Sequence, residues 1–213
     1  SRECLSHRLN RFLPAHVLLV LSAGLLPLLT PGDALARGAA WLLLHAVLYA
    51  ISLSSRLLGL SSAHAETEEF TWLLGQPAGI TPWLAGKAAA LTCLVAAASS
   101  LLVLPTWFAG GGSHELLLAA FGAAGVSAVC ALVGLALGFW IRDSVRGLIA
   151  AIATWFVLLF GTDLLLLAVA GAPAMQDRPG LWTAALMANP LDAFRVTVLF
   201  AVERAACSGL DAG

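Results

Sequence analysis

The chain alternates long apolar runs with short polar breaks, and this pattern predicts helices that cross a membrane. A membrane-spanning helix needs about 20 mostly apolar residues. Five runs of this kind occur, at 13–30, 41–60, 88–108, 116–140 and 148–170. The 213 residues are 60% hydrophobic and only 11% charged, which is too apolar for the surface of a water-soluble domain. We therefore predict an all-α membrane protein with a single transmembrane domain over residues 1–213.

The polar breaks predict how the spans are connected. A Pro-Gly-Asp turn at 31–33 ends the first span, and a glycine loop at 109–113 joins the third and fourth spans as a hairpin. Residues 61–87 form an elbow between the second and third spans, and this elbow is the one substantial loop on the same side of the membrane as the N-terminus. The tail 171–213 holds an apolar stretch at 193–202 that is too short to cross a bilayer, so we expect an interfacial or re-entrant helix there.

The basic residues predict the orientation, because positive charge near the ends of spans is retained in the cytoplasm. With a cytoplasmic N-terminus, that side holds most of the chain's 11 Lys and Arg residues, namely Arg2, Arg8, Arg11, Arg56, Lys87, Arg142 and Arg146. The outer side then holds Arg37, Arg178, Arg195 and Arg204. We therefore expect a multi-pass protein with its N-terminus in the cytoplasm and its tail outside.

Charge and motif content exclude several classes of function. A net charge of −1 with scattered basic residues leaves no basic face for nucleic acid. The four cysteines form no CxxC pair and the histidines form no spaced ligand pair, so we predict no metal site in this chain. Gly86-Lys87 resembles the end of a P-loop, but Thr81 and Ala88 stand where that motif needs Gly and Ser or Thr. Any nucleotide is therefore expected on another subunit, and this chain is expected to hold no cofactor.

The elbow has the pattern of a docking helix, with an acidic first turn and an apolar second turn. The residues that would contact a partner are Glu66, Glu68, Glu69, Phe70, Trp72 and Leu73. Carboxylates at a helix start are favoured by the macrodipole, and aromatic side chains beyond the membrane suit a groove on a cytosolic protein. A solvated acidic loop is the simpler interpretation of the same residues. The Glu68-Glu69 pair also leaves open a membrane-embedded hydrolase, and a structural membrane anchor is a third alternative.

Later in the chain, isolated polar and small residues are further candidates. Asp163 lies within the fifth span, where a carboxylate usually faces protein or water and marks a pathway; a structural hydrogen-bonding role is the alternative. Gly134 and Gly138 form a GxxxG pair that permits close packing inside the bundle or between two copies. Arg142 and Asp143 lie in a tight charged turn that could meet the same cytosolic partner as the elbow.

Taken in order, these features resemble the ABC-2 type permeases. A basic start, two spans, an acidic elbow leading to the LLGQP stretch and Gly86-Lys87, a helical hairpin and an Arg-Asp turn are similar to that family. Within it, the stretches IRDSVR at 141–146, GTDLL at 161–165 and NPLDAFR at 189–195 look like the membrane subunit of the transporter that serves nitrous oxide reductase maturation. The NPLDAFR stretch is the most diagnostic of the three.

The resemblance implies a six-span subunit that dimerises in the bacterial inner membrane, of which five spans are visible in this chain. It implies a separate cytosolic ABC ATPase, which binds ATP and magnesium and couples through the elbow at 66–74, and a periplasmic accessory protein in copper-centre assembly. It also implies residues of the transport path or outer gate, namely Asp163, Asn189, Pro190, Asp192 and Arg195. The cargo stays open between copper and a sulfur-containing or other small species.

Overall fold

The computed structural model describes residues 13–22, 25, 41, 44–65, 80–101, 114–169 and 179–210, with the backbone alone at 114–117, 179 and 201–210. Within these ranges the chain is helical except at the turns 101, 141–143 and 189. Four helices are long and apolar enough to cross a membrane: Ala46–Ala65, Ile80–Ser100, Leu118–Trp140 and Ser144–Val169. The protein is therefore an all-α, multi-pass membrane protein, as the hydropathy pattern predicts.

Seven helices follow one another along the described chain. They are α1 (Leu13–Ser22), α2 (Ala46–Ala65), α3 (Ile80–Ser100), α4 (His114–Trp140), α5 (Ser144–Val169), α6 (Pro179–Ala188) and α7 (Pro190–Leu210). Two of them contain a π-helical segment, Ala46–Ile51 at the start of α2 and Val157–Gly161 within α5. Such segments are uncommon inside α-helices and occur often at functional sites.

Helices α2 and α3 show the largest extensions beyond the apolar runs that predict them. The second predicted span stops at residue 60 but α2 continues to Ala65, and the third begins at residue 88 but α3 starts at Ile80. The added turns contain polar residues that pack against each other, since Lys87 Nζ donates to Ser62 O at 2.8 Å. Residues 66–79 of the predicted elbow lie outside the described residues. The first predicted span is described only as α1 and the isolated residue 25.

The seam between α2 and α4 brings two helix backbones into direct contact. A Cβ added to Gly59 would lie 2.0 Å from Ala131 O, and one added to Gly134 would lie 2.0 Å from Arg56 O. A Cβ on Gly138 would meet the Ala63 methyl at 2.5 Å. Because only glycine leaves room for this approach, the predicted GxxxG pair packs inside the bundle against α2.

The tail helix α7 belongs to the same bundle. Its side chains Leu191, Phe194 and Val198 are buried in a core cluster that also takes in residues of α1, α2, α4 and α5. The Phe194 ring packs against Gly122 of α4, where an added Cβ would lie 2.8 Å from the ring. The apolar stretch predicted as a separate interfacial or re-entrant helix is therefore part of a longer helix held against α4.

Candidate functional site

The NPLDAFR stretch begins helix α7, and its first residues have the chemistry of a helix start. Asn189 is the capping residue: its Oδ1 accepts from Leu191 N at 3.1 Å, and its backbone O accepts from Ala193 N at 2.9 Å. Pro190 occupies the first helical position, where its missing N–H leaves no hydrogen bond unmade. This local geometry places Asn189 and Asp192 on the side of α7 that faces α5.

Asn189, Asp192 and Thr162 form a buried hydrogen-bonded cluster between α7 and α5. Asn189 Nδ2 donates to Thr162 Oγ1 at 2.8 Å and to Asp192 Oδ2 at 2.7 Å, and it also contacts Leu158 O. Thr162 Oγ1 donates to Asp192 Oδ2 at 2.6 Å. Asn189 and Asp192 are only 2% and 3% exposed, so these bonds replace water around an amide and a carboxyl group.

A second polar contact between the same helices lies one residue along α5. Arg195 Nη1 donates to Asp163 Oδ2 at 2.7 Å, and both side chains are about half exposed, at 45% and 42%. The five residues expected in a transport path or outer gate therefore lie together. Asp163 comes from α5, while Asn189, Pro190, Asp192 and Arg195 come from the start of α7.

A cavity of about 300 Å³ opens beside this cluster, between α7, α5 and the chain at the start of α2. Its polar and aromatic lining residues are His45, Tyr49, Phe160, Asp163, Asp192 and Arg195. Trp41 and three leucines complete the wall. In the described part of the chain, no group of three or more His, Cys, Asp or Glu side chains is placed to hold a metal ion.

The Arg142-Asp143 turn lies at the other end of α5. An α-helix rises about 1.5 Å per residue, so Asp163 lies on the order of 28 Å along α5 from Ser144. Asp143 caps α5, with its Oδ1 accepting from Arg146 N at 2.8 Å. This donation holds the pKa of the exposed Asp143 carboxyl below its ordinary value. Arg142 is exposed beside it.

The helices on either side of the elbow end close to this turn. His64, one residue before the end of α2, donates from Nε2 to Ile141 O at 2.8 Å. Near the start of α3, Trp83 contacts Phe139 of α4 edge to face, with ring centroids 6.0 Å apart. The predicted coupling residues Glu66, Glu68, Glu69, Phe70, Trp72 and Leu73 lie outside the described residues. The described parts of the elbow are the end of α2 and the start of α3, and the end of α2 lies beside Arg142 and Asp143.

Arg56, one of the basic residues expected on the cytoplasmic side, is completely buried between α2 and α5. Its Nη1 donates to Thr154 Oγ1 at 3.1 Å, whereas Nε and Nη2 have no hydrogen-bond partner within the described residues. Because α2 runs on to Ala65, Arg56 lies about 2.5 turns inside the helix and is not a charge at the end of a span.

Several residues of the site are not singled out by the sequence. Thr162 belongs to the GTDLL stretch, but nothing there distinguishes it from any other threonine in a span, and Tyr49 has no motif around it. The sequence signal at Tyr49 is its spacing, because it follows Trp41 and His45 at steps of four, which would place three rings on one face of a helix. No protein-family model, curated protein or solved structure matches the chain.

Proposed function

We propose that this chain is the membrane-spanning permease subunit of an ABC transporter of the ABC-2 type, driven by ATP hydrolysis on a separate subunit. The observation that carries the proposal is the joining of Asp163 with the start of α7 at 189–195. Two stretches that separately resemble the nitrous oxide reductase maturation permease thus form one polar site in three dimensions. We extend the proposal to that process, the supply of material for copper-centre assembly.

Polar groups at both ends of α5 suit a subunit that links two compartments. The exposed Arg142 and Arg146 lie at the start of α5, and the polar cluster lies far along it. Lys87 lies near the same end as the two arginines, since it contacts Ser62 and the Phe139 ring. With Arg56 removed from the count, these residues still favour a cytoplasmic turn and N-terminus. The polar cluster is then on the periplasmic side of the inner membrane.

In this arrangement the ATPase would bind at the end of the bundle where the elbow leaves and re-enters it. Within the elbow 61–87, α2 ends at Ala65 and α3 begins at Ile80, and the end of α2 contacts the chain just before Arg142 and Asp143. The elbow residues 66–73 and the Arg-Asp turn would then form one surface toward the cytosolic partner. A second copy of the subunit and a periplasmic accessory protein complete the proposed assembly, with membrane lipid around it.

The test is reconstitution of the full chain with a candidate ABC ATPase subunit from the same organism. We expect Glu69→Ala with Phe70→Ala to abolish ATPase stimulation by the membrane subunit, because both change the proposed contact. Leu167→Ala is the matched control, since Leu167 is exposed on α5 and distant from the elbow in sequence. Unchanged complex formation and unchanged stimulation in the double variant would overturn the coupling assignment.

A second measurement separates a permease from a structural anchor. If this chain transports cargo, a catalytically dead ATPase subunit should stop the maturation of nitrous oxide reductase. Normal maturation with the dead ATPase would overturn the permease proposal. Peptide cleavage by the purified chain that is lost in Glu69→Gln would instead favour the hydrolase.

A further inference from the structure

We propose that the cavity between α7, α5 and the start of α2 binds a small organic cation. The inference rests on the proposed role of Asp163, Asp192 and Arg195 in the transport path, but not on the extension to copper-centre assembly, and it names the class of molecule that the path would accept. Three features carry it: the balance of charge around the cavity, a row of aromatic rings on one wall, and π-helical segments on two walls.

The charged groups around the cavity leave one unbalanced negative charge. They are the carboxylates of Asp163 and Asp192 and the guanidinium of Arg195. Arg195 is bound to Asp163 at 2.7 Å, so those two charges offset each other. Both hydrogen bonds that Asp192 accepts reach its Oδ2, and its Oδ1 accepts none from the residues that the structure describes. A cation beside Asp192 would balance the remaining charge.

The wall contributed by the start of α2 is aromatic. The rings of Trp41 and His45 have centroids 5.8 Å apart, and those of His45 and Tyr49 are stacked at 5.9 Å. His45 Nδ1 donates to Trp41 O at 2.7 Å, which holds the middle ring in place. Phe160 of α5 also lines the cavity. Aromatic faces attract organic cations, and ammonium groups are commonly bound against such rings.

Both helices that carry these rings depart from regular α-helix beside the cavity. The segment Ala46–Ile51 contains Tyr49, and Val157–Gly161 contains Phe160. A π-helical segment changes which residues of a helix share a face, and it often marks a functional site. The cavity of about 300 Å³ is at the lower end of the roughly 300–1,000 Å³ range of ligand pockets, so its ligand should be small.

The first test compares a cation with a neutral molecule of the same shape. Choline and 3,3-dimethyl-1-butanol differ in the charged nitrogen, and both would be titrated calorimetrically into the purified full chain in nonionic detergent. We expect saturable binding of choline that is at least about tenfold tighter than binding of the alcohol, as a desolvated cation–aromatic contact allows. Equal binding of the two, or no binding of choline, would overturn the proposal. Tighter binding of glycine betaine than of choline would overturn it in favour of a zwitterion site.

The second test changes the cavity wall. Tyr49→Leu removes a ring and should weaken choline binding by about tenfold, whereas Tyr49→Phe keeps the ring and should bind within about twofold of the parent. Phe121→Leu is the control, because this ring is 74% exposed on α4 and does not line the cavity. Equal loss of binding in Tyr49→Leu and Tyr49→Phe, or no loss in either variant, would contradict a role for the aromatic face.

Binding and ATPase coupling are measured separately, so the two proposals can fail separately. Loss of choline binding with intact ATPase stimulation would remove the cation site and leave the permease. Intact choline binding with no response to the ATPase would remove the permease and leave a cation-binding membrane protein.

Discussion

Helices α5 and α7 begin with the same device in opposite surroundings. At the start of α5, Asp143 accepts a hydrogen bond from Arg146 N at 2.8 Å, and Asp143 is exposed. At the start of α7, Asn189 accepts from Leu191 N at 3.1 Å, and Asn189 is 2% exposed. Both are side-chain caps on backbone N–H groups that a helix leaves unpaired. The two caps differ in exposure, because water reaches Asp143 but is excluded from Asn189.

Burial makes a helix cap part of a larger polar cluster. When an exposed cap is lost, water can satisfy the freed N–H group, so the cost stays small. Where a cap is buried, every polar group near it needs a protein partner, which explains why Asn189 also bonds Thr162 and Asp192. The cap at the start of α5 therefore makes only a local hydrogen bond, whereas the cap at the start of α7 also connects α7 to α5 beside a cavity.

The largest effect should come from the α2–α4 seam, because α5 packs against α2 and α7 packs against α4. Gly134→Ala places a methyl group 2.0 Å from Arg56 O, and the helices must separate, so we expect a loss of about 3 kcal/mol in the free energy of unfolding. The measurement is thermal unfolding in nonionic detergent, followed by tryptophan fluorescence.

Gly125→Ala is the matched control on the same helix, because an added Cβ there meets nothing within 4 Å. It should be neutral or stabilise by up to about 1 kcal/mol, as alanine is the better helix former. If the two variants unfold at the same temperature, the α2–α4 seam does not stabilise the bundle. The starts of α5 and α7 would then be held in place by other contacts.

The buried cap should have the next largest effect. Asn189→Ala removes the cap of α7 and the amide donor to Asp192, so we expect a loss of about 2 kcal/mol in the free energy of unfolding. Asn189→Ser keeps a capping oxygen and lacks the amide, and should lie between the parent and the alanine variant. An alanine variant as stable as the parent would show that burial adds nothing to this cap.

The Asp163–Arg195 pair should contribute less, because both side chains are about half exposed. Asp163→Asn is expected to cost about 0.5 kcal/mol, in the range of exposed ion pairs. Arg195→Gln removes the other partner, and adding it to Asp163→Asn should cost little more than either change alone if the pair is coupled. A double-mutant cycle measures the coupling, and a coupling energy of zero would mean that the contact orders the site without stabilising it.

Much of the fold can be predicted from hydropathy, because the cost of unpaired backbone in lipid forces apolar runs into helices. The helix ends are less predictable. Polar residues such as Ser62 and Lys87 extend α2 and α3 by packing against each other, and a hydropathy run contains no sign of that contact. Arg56 is buried because α5 packs against it, and its neighbours in sequence do not indicate that contact.

The site was only partly predictable for a similar reason. Asp163 is conspicuous as a carboxylate in an apolar span, and Asn-Pro-Leu-Asp has the composition of a helix start. Their meeting depends on how α7 packs against α5, which neither stretch encodes alone. Thr162 and Tyr49 are not predicted as site residues, because a threonine or tyrosine in a span is ordinary unless a partner lies beside it.

The smallest effect should be at Asp143, and its dependence on pH sharpens the comparison with Asn189. The Arg146 N–H donates to the charged carboxyl group and lowers its pKa below the ordinary 3.8, so the stabilisation is fully present above that value. It is lost as the pH falls through the lowered pKa, because protonation weakens the bond. Asp143→Asn keeps an acceptor that does not titrate, so its melting temperature should fall less than the parent's on acidification below pH 3.8. Parallel acid sensitivity in the two proteins would contradict this assignment, and a change as large as that of Asn189→Ala would mean that Asp143 is buried in the assembled protein.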